Sequence, residues 1–465
     1  MNLHPHRSMA VAAVAAVSLT FAVVIGFGSD QPLAITAFFA TIGLVAVVVL
    51  ALTHFESLTY WMIAARTAID LTHPGADDQA LRFSVWITGA YTAVSVLWLV
   101  VRRSERLRIS PLCIGAAGVA AAAILSGLLS DDRAKALIGA SRWVFLTVLV
   151  LVLDNLIKDQ WAVRRLLLAV GASAIVPVLI GMWQLIAERD RLVEGIFRIE
   201  GSFAHPNTYG FYLVVVGLAL VALIPSLPSG YRPISRVLLI LIIISLVYTF
   251  SRTSYAAFAV GVVVIAMVGR RWLLLGLTVL TISVAPLIPT IGERLADLGQ
   301  GTTLRGTPGN SFTWRIDYWQ TVIEAGEGRR VTGVGLGVVS EITESGREPH
   351  NDFVRSFVEL GSIGLTTYIG FLLLMGWQAR KALAETRSAL GAEPPDFPRC
   401  LAEGFAGIFA AYMVESITGN PMTQLILLWY VVAIAVAVRS VGLSPPAVSS
   451  NRSLELSSAE GRKRG

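Results

Sequence analysis

Apolar runs punctuated by short polar connections set the pattern of this chain. Such runs lie near residues 9–28, 33–53, 83–101, 112–129, 137–157, 166–187, 210–225, 236–250, 255–269, 272–290, 354–376, 401–417 and 422–438. Several reach the roughly 20 residues that cross a bilayer core. Inside hydrocarbon every backbone polar group needs an internal partner, so the runs are predicted as helices. The expected fold is all-α: a polytopic membrane protein of twelve to fourteen transmembrane helices, with residues 1–465 forming one integral membrane domain. The run Met9–Phe27 is long for a signal peptide and is read as an uncleaved first span. Residues 55–71, carrying Glu56, Arg66 and Asp70, are either an outer amphipathic helix or a short polar span.

The polar connections orient the spans. Basic residues gather at Arg102, Arg103, Arg106 and Arg108, at Lys158, Arg164 and Arg165, and at Arg380, Lys381, Arg387 and Arg399. Two shorter connections hold Arg232 and Arg236, then Arg270 and Arg271. Excess Lys and Arg marks the cytoplasmic side. From residue 102 onward strict alternation then places 130–136, 188–209, 251–254 and the long stretch 291–353 outside. The tail 445–465, with Arg462, Lys463 and Arg464, falls inside and is read as disordered.

Composition agrees: 55% of residues are hydrophobic and only 15% charged, against about 25% charged in an average soluble domain. A soluble cytosolic enzyme and a disordered scaffold are both excluded. The net charge of +6 is absorbed by the positive-inside loops, so no nucleic-acid partner is expected. Cys113 and Cys400 have no metal-ligand spacing, and no disulfide is expected of them.

Candidate chemistry gathers on the outer face. Segment 291–353 holds Arg294, Arg305, Arg315, Arg329, Arg330 and Arg347 and no lysine. The rigid guanidinium fork suits phosphate or carboxylate, although nearby Glu293, Asp297, Asp317 and Glu324 offer ordinary ion pairs. Within it, Phe312–Ala325 has helical apolar spacing at Ile316, Trp319, Val322 and Ile323. Arg198 precedes a span in Phe197-Arg198-Ile199-Glu200-Gly201-Ser202-Phe203-Ala204-His205-Pro206-Asn207, and Arg252 sits between two spans with almost no loop. A cation at the membrane edge points to function, against snorkelling for Arg252 or a loop ion pair for Arg198. His350, in Glu348-Pro349-His350-Asn351-Asp352-Phe353, is suited to take a proton near neutral pH. Gly333-Val334-Gly335-Leu336-Gly337 lacks the Lys-Ser/Thr of a P-loop and reads as a turn. No HExxH, CxxC, DxD or Gly-x-Ser-x-Gly occurs, so no metal is expected.

These residues resemble the superfamily of O-antigen ligases and Wzy-type polymerases, bacterial envelope glycosyltransferases. His350-Asn351, nine residues, Gly361, two residues and Gly364 are similar to the ligase signature. Arg198 with Gly201, Phe203 and Asn207 resembles a first arginine motif, and Ser251-Arg252 a second. Arg315-x-x-x-Trp319 and Gly333-Val334-Gly335 are similar to the segment before the histidine. The likeness covers roughly residues 195–425.

The resemblance implies glycosyl transfer at the periplasmic face of the bacterial inner membrane, with no metal, nucleotide or other cofactor. The donor would be a glycan on undecaprenyl diphosphate, the acceptor the lipid A core, with membrane lipids around both. Arg198 and Arg252 would bind the diphosphate, and His350 would be general base in an inverting displacement. Asn351 would orient the histidine or a sugar hydroxyl, and Gly361 and Gly364 complete the motif. Arg315 is a third phosphate contact or a loop brace, and the role of His205 stays open. Two alternatives stand: a Wzy-type O-antigen or exopolysaccharide polymerase, and a lipid-linked oligosaccharide transporter.

Overall fold

The computed structural model describes residues 48–49, 51–69, 83–101, 106–187, 191–193, 196–284, 312–387 and 396–440. The expected span 9–28, most of 33–53, the stretch 291–311 with Arg294 and Arg305, and the tail 445–465 lie outside the described residues. The elements run α1 (Phe55–Ile69), α2 (Phe83–Val101), α3 (Pro111–Leu129), α4 (Arg133–Leu156), α5 (Gln160–Ser173) and α6 (Ile175–Ala187). A hairpin of β1 (Arg191–Val193) and β2 (Ile196–Arg198) follows, antiparallel with Arg191 opposite Arg198. Then come α7 (Pro206–Leu223), α8 (Arg232–Tyr248), α9 (Arg252–Val268), α10 (Trp272–Val284), α11 (Phe312–Ala325), α12 (Asp352–Glu385), α13 (Phe397–Thr418) and α14 (Leu425–Arg439). Six helical stretches among the described residues are long and apolar enough to cross a membrane, and three shorter apolar helices join them. The protein is an all-α, multi-pass membrane protein.

The basic connections meet at one end of the bundle. Arg439 pairs with Asp154 at 3.2 Å, and the Asn155 amide accepts from the Arg108 backbone. Arg164 lies over the Phe397 ring, while Arg399 and Arg271 share the Glu403 carboxylate at 2.9 and 2.7 Å. Arg399 also donates to the carbonyls of Leu383 and Val268. The guanidinium groups thus cap the unsatisfied C-terminal carbonyls of neighbouring helices.

The other end collects the connections expected outside. Ser126 and Ser130 donate to Glu359 O and Val334 O, both at 2.6 Å. Arg329 pairs with Asp131, and Ile199 N–H donates to Tyr248 O. Within residues 55–71 the chain forms helix α1 over Phe55–Ile69. Glu56 pairs with Arg165 near the start of α5, and Thr67 Oγ1 donates to Ser173 O at its end. So α1 packs along α5 from the basic end as far as Ser173, midway in the helical stretch Gln160–Ala187. The 15 residues of α1 extend only about 22 Å.

Helix α12 breaks at Gly361, whose φ of +71° is open to glycine but strained for other residues. The break leaves orphan backbone groups, and the Gly-rich turn before the histidine takes them up. Val334 and Gly335 N–H donate to Val358 and Glu359 O, while Ser362 and Ile363 N–H donate to Arg330 and Val331 O. A Cβ at Gly361 would stand 2.1 Å from Val331 O. Gly333 (φ +78°) meets the same constraint, 2.2 Å from Glu359 O. Gly364 sits one turn on, packed against Leu360. Behind this junction Trp143 packs edge-on to Phe371 at 5.3 Å. The near-complete burial of α7 and α14 completes the core. Cys113 and Cys400 are both buried and free.

Candidate functional site

His350 ends an irregular segment that three neighbours pin in place. Helix α11 forms over Phe312–Ala325, the stretch with helical spacing. From it Tyr318 OH donates to Arg347 O at 2.5 Å, and Trp319 Nε1 donates to Pro349 O at 2.6 Å. From α12, the fully buried Arg355 pairs with Glu348 and, at 3.2 Å, with Glu359. His350 itself holds φ at +48°, a left-handed conformation uncommon outside glycine. Asn351 follows as the N-cap of α12, its Oδ1 accepting from Phe353 and Val354 N–H. That cap occupies the amide oxygen, so Asn351 serves the helix; it does not bond the imidazole.

The imidazole is bonded instead by Asn420, in the break between α13 and α14. Asn420 Nδ2 lies 3.1 Å from His350 Nδ1. Arg315 of α11 donates to Thr418 O and Arg142 of α4 to Thr423 O, each at 2.8 Å. Met422 N–H meets the Asp352 carboxylate at 3.1 and 3.3 Å, and Tyr368 OH donates to the same group at 2.7 Å. The histidine and the break facing it are therefore tied through α4, α11 and α12.

A third wall comes from the start of α7. His205 is its N-cap, with Nδ1 accepting from Asn207 N–H at 3.1 Å. Arg198 is buried and does not line the cavity. Its Nε donates to Thr249 O at 2.7 Å and its Nη2 to Asn207 Oδ1 at 2.6 Å. It thereby locks the turn that leads into Arg252 against the start of α7. Arg252 begins α9 and acts electrostatically on Arg315, lowering its pKa together with burial, the larger cause.

These walls enclose a cavity of about 420 Å³. His350, His205, Asn207 and Arg315 line it; Arg198, Arg252, Asn351, Gly361 and Gly364 do not. Arg315 both lines the cavity and braces Thr418. Among the lining residues that the sequence reading did not single out as functional are Arg66, Arg142, Glu415 and Asn420. Arg142 and Glu415 are charges inside apolar runs, a signal of function in itself, and Arg66 sits in the polar segment 55–71. Asn420 gives no such signal. Burial, followed by Arg315, His205 and Arg347, pushes the His350 pKa down to about 4. The imidazole is neutral at pH 7 and able to accept a proton. Among the described residues no three His, Cys, Asp or Glu side chains gather as a metal site.

No curated protein matches the chain. Residues 237–369 match the family model of the O-antigen ligases. The match spans Arg252, Arg315, His350, Gly361 and Gly364, and ends before Asn420. The chain is thus a multi-pass membrane protein carrying an O-antigen ligase domain at residues 237–369, the domain of a ligase- or polymerase-type function.

Proposed function

We propose that the protein is an O-antigen ligase-type glycosyltransferase that moves a glycan from undecaprenyl diphosphate to the lipid A core at the periplasmic face of the inner membrane. His350 takes the proton of an acceptor sugar hydroxyl. The freed oxygen forms its bond to the anomeric carbon from the face opposite the lipid diphosphate. The carbon–oxygen bond to phosphate breaks, and the diphosphate leaves with the electron pair, inverting the centre. Arg315 at the cavity wall, with Arg252 behind it, offsets charge gathering on the diphosphate. A donor so placed is worth roughly 10²–10³ in rate. Arg198 contributes by holding Asn207 at the wall.

One observation carries the reading: a neutral, buried histidine shares a cavity with Arg315, in a chain whose matched domain contains both. A lipid diphosphate needs a fixed anion site at the membrane edge, and a sugar hydroxyl needs a base. The test is transfer by purified protein in detergent with carrier-linked glycan, lipid A core and EDTA, without nucleotide. Core-linked product that disappears in folded His350→Ala is expected. Longer carrier-linked chains without core attachment would assign the polymerase reaction to the same site. No covalent product, with glycolipid crossing a liposome bilayer, would overturn the enzyme reading in favour of a transporter.

A further inference from the structure

The break between α13 and α14 is built to hold one side chain, and that side chain faces the histidine. Residues 418 and 423 are fixed by Arg315 and Arg142, and residue 422 by Asp352. Between them Asn420 is 7% exposed and directs its amide at His350 Nδ1. As placed, Nδ2 donates to Nδ1. The neutral ring then carries its proton on Nε2, and that nitrogen cannot act as a base. In the same arrangement Asn420 Oδ1 is buried with no hydrogen-bond partner among the described residues. An orphan acceptor of this kind costs about 1–3 kcal/mol.

Turning the amide over removes the contradiction. Oδ1 then accepts the Nδ1 proton, and Nε2 is left with its lone pair free. Nδ2 moves to where Oδ1 stood, as a donor. A matching acceptor is close along the chain. The Glu415 carboxylate curls over Gly419, with Oε1 2.8 Å from where a Cβ at 419 would stand, and its Oε2 is also buried with no hydrogen-bond partner among the described residues. We propose that Asn420 is the positioning residue of His350, its side-chain carbonyl holding the Nδ1 proton so that Nε2 serves as the base. A base oriented by a third polar group recurs wherever histidine takes protons in enzymes. This inference rests on the catalytic reading of His350 above. It adds a residue outside the matched domain.

The test reads tautomer and pH dependence together. Groups facing the ring are Arg315 of α11, His205 at the start of α7 and Arg347 of its own segment, while Glu348 and Glu415 line the same cavity. Purified full-length protein labelled with ¹⁵N-histidine gives the ring signals, and the resonance missing in His350→Gln assigns His350. Wild type is expected to carry the neutral proton on Nδ1, and Asn420→Ala to move it toward Nε2. In the transfer assay Asn420→Ala should lower kcat by roughly 10–100-fold with donor KM held. Asn420→Asp keeps the shape and the Nδ1 acceptor and adds a negative charge that favours the imidazolium. It should restore much of kcat and move the acid limb of the pH profile upward. The same tautomer in wild type and a folded Asn420→Ala, or an unmoved acid limb in Asn420→Asp, overturns the proposal. The spectra need no turnover. Absence of transfer by wild type would sink the enzymatic reading, while the ring spectra would still decide whether Asn420 sets the tautomer.

Discussion

Arg198 donates from Nη2 to Asn207 Oδ1 at 2.6 Å and from Nε to Thr249 O at 2.7 Å. One buried guanidinium thus joins a cavity-wall residue to the turn that starts α9. Lysine has a single nitrogen and cannot reproduce this two-point contact. Arg198→Lys should therefore lose transfer nearly as completely as Arg198→Ala. Asn207→Ala should cost about as much, and the double variant no more than the worse single, because both remove one contact. Rates of the four variants, with melting temperatures beside them, check this. Additive losses would mean that Arg198 acts independently of Asn207.

The depressed His350 gives a pH prediction with a definite sign. Its pKa in the free protein lies near 4, below the ordinary histidine value, through burial and the cations Arg315, His205 and Arg347. A base must be unprotonated, so the acid limb of kcat/KM, which reports the free enzyme, should fall near pH 4. Bound diphosphate brings negative charge to those cations and favours the imidazolium. The acid limb of kcat should therefore lie higher than that of kcat/KM. Coincident limbs would show that the anion does not reach the field around His350.

Gly361 tests the broken helix. Its φ of +71° and the close approach of Val331 O exclude a side chain without a shift of the backbone. Gly361→Ala should destabilise by about 3 kcal/mol or more, combining backbone strain with overpacking. A thermal melt in detergent measures it. Gly370 has open space where a Cβ would stand, and Gly370→Ala should be tolerated.

Arg355 is fully buried between Glu348 and Glu359. Arg355→Ala would strand the buried Glu359 carboxylate, and breaking such a pair costs about 3–5 kcal/mol. The segment carrying His350 should loosen with it. Faster amide exchange at residues 348–354 is the expected readout, together with a lower melting temperature.

Trp319→Phe keeps the ring of α11 and removes the bond to Pro349 O. A moderate loss of kcat, with stability nearly held, is expected if that bond sets the histidine. Equal kcat in wild type and variant would assign the anchoring to Tyr318 and Arg355 alone.

The sequence by itself determined the solvent, the secondary structure and the two ends of the molecule. Apolar run length and backbone satisfaction require helices, and the basic loops named Arg399 and Arg271, which gather around Leu383 and Glu403. It also placed α11 and singled out His350, His205 and Arg315, because charges and histidines in an apolar chain are conspicuous, and Asn207 through the arginine motif it shares with Arg198. Tertiary structure alone decided the rest. Whether Asn351 or Asn420 meets the imidazole depends on a contact across 70 positions of chain, to which local pattern is blind. Arg66 and Arg142 reach the cavity only because α1 and α4 pack beside the break before α14. Arg198 is a brace by virtue of the turn folded against it. Periodicity and charge record which medium each residue meets, and chain crossings set which side chains meet each other.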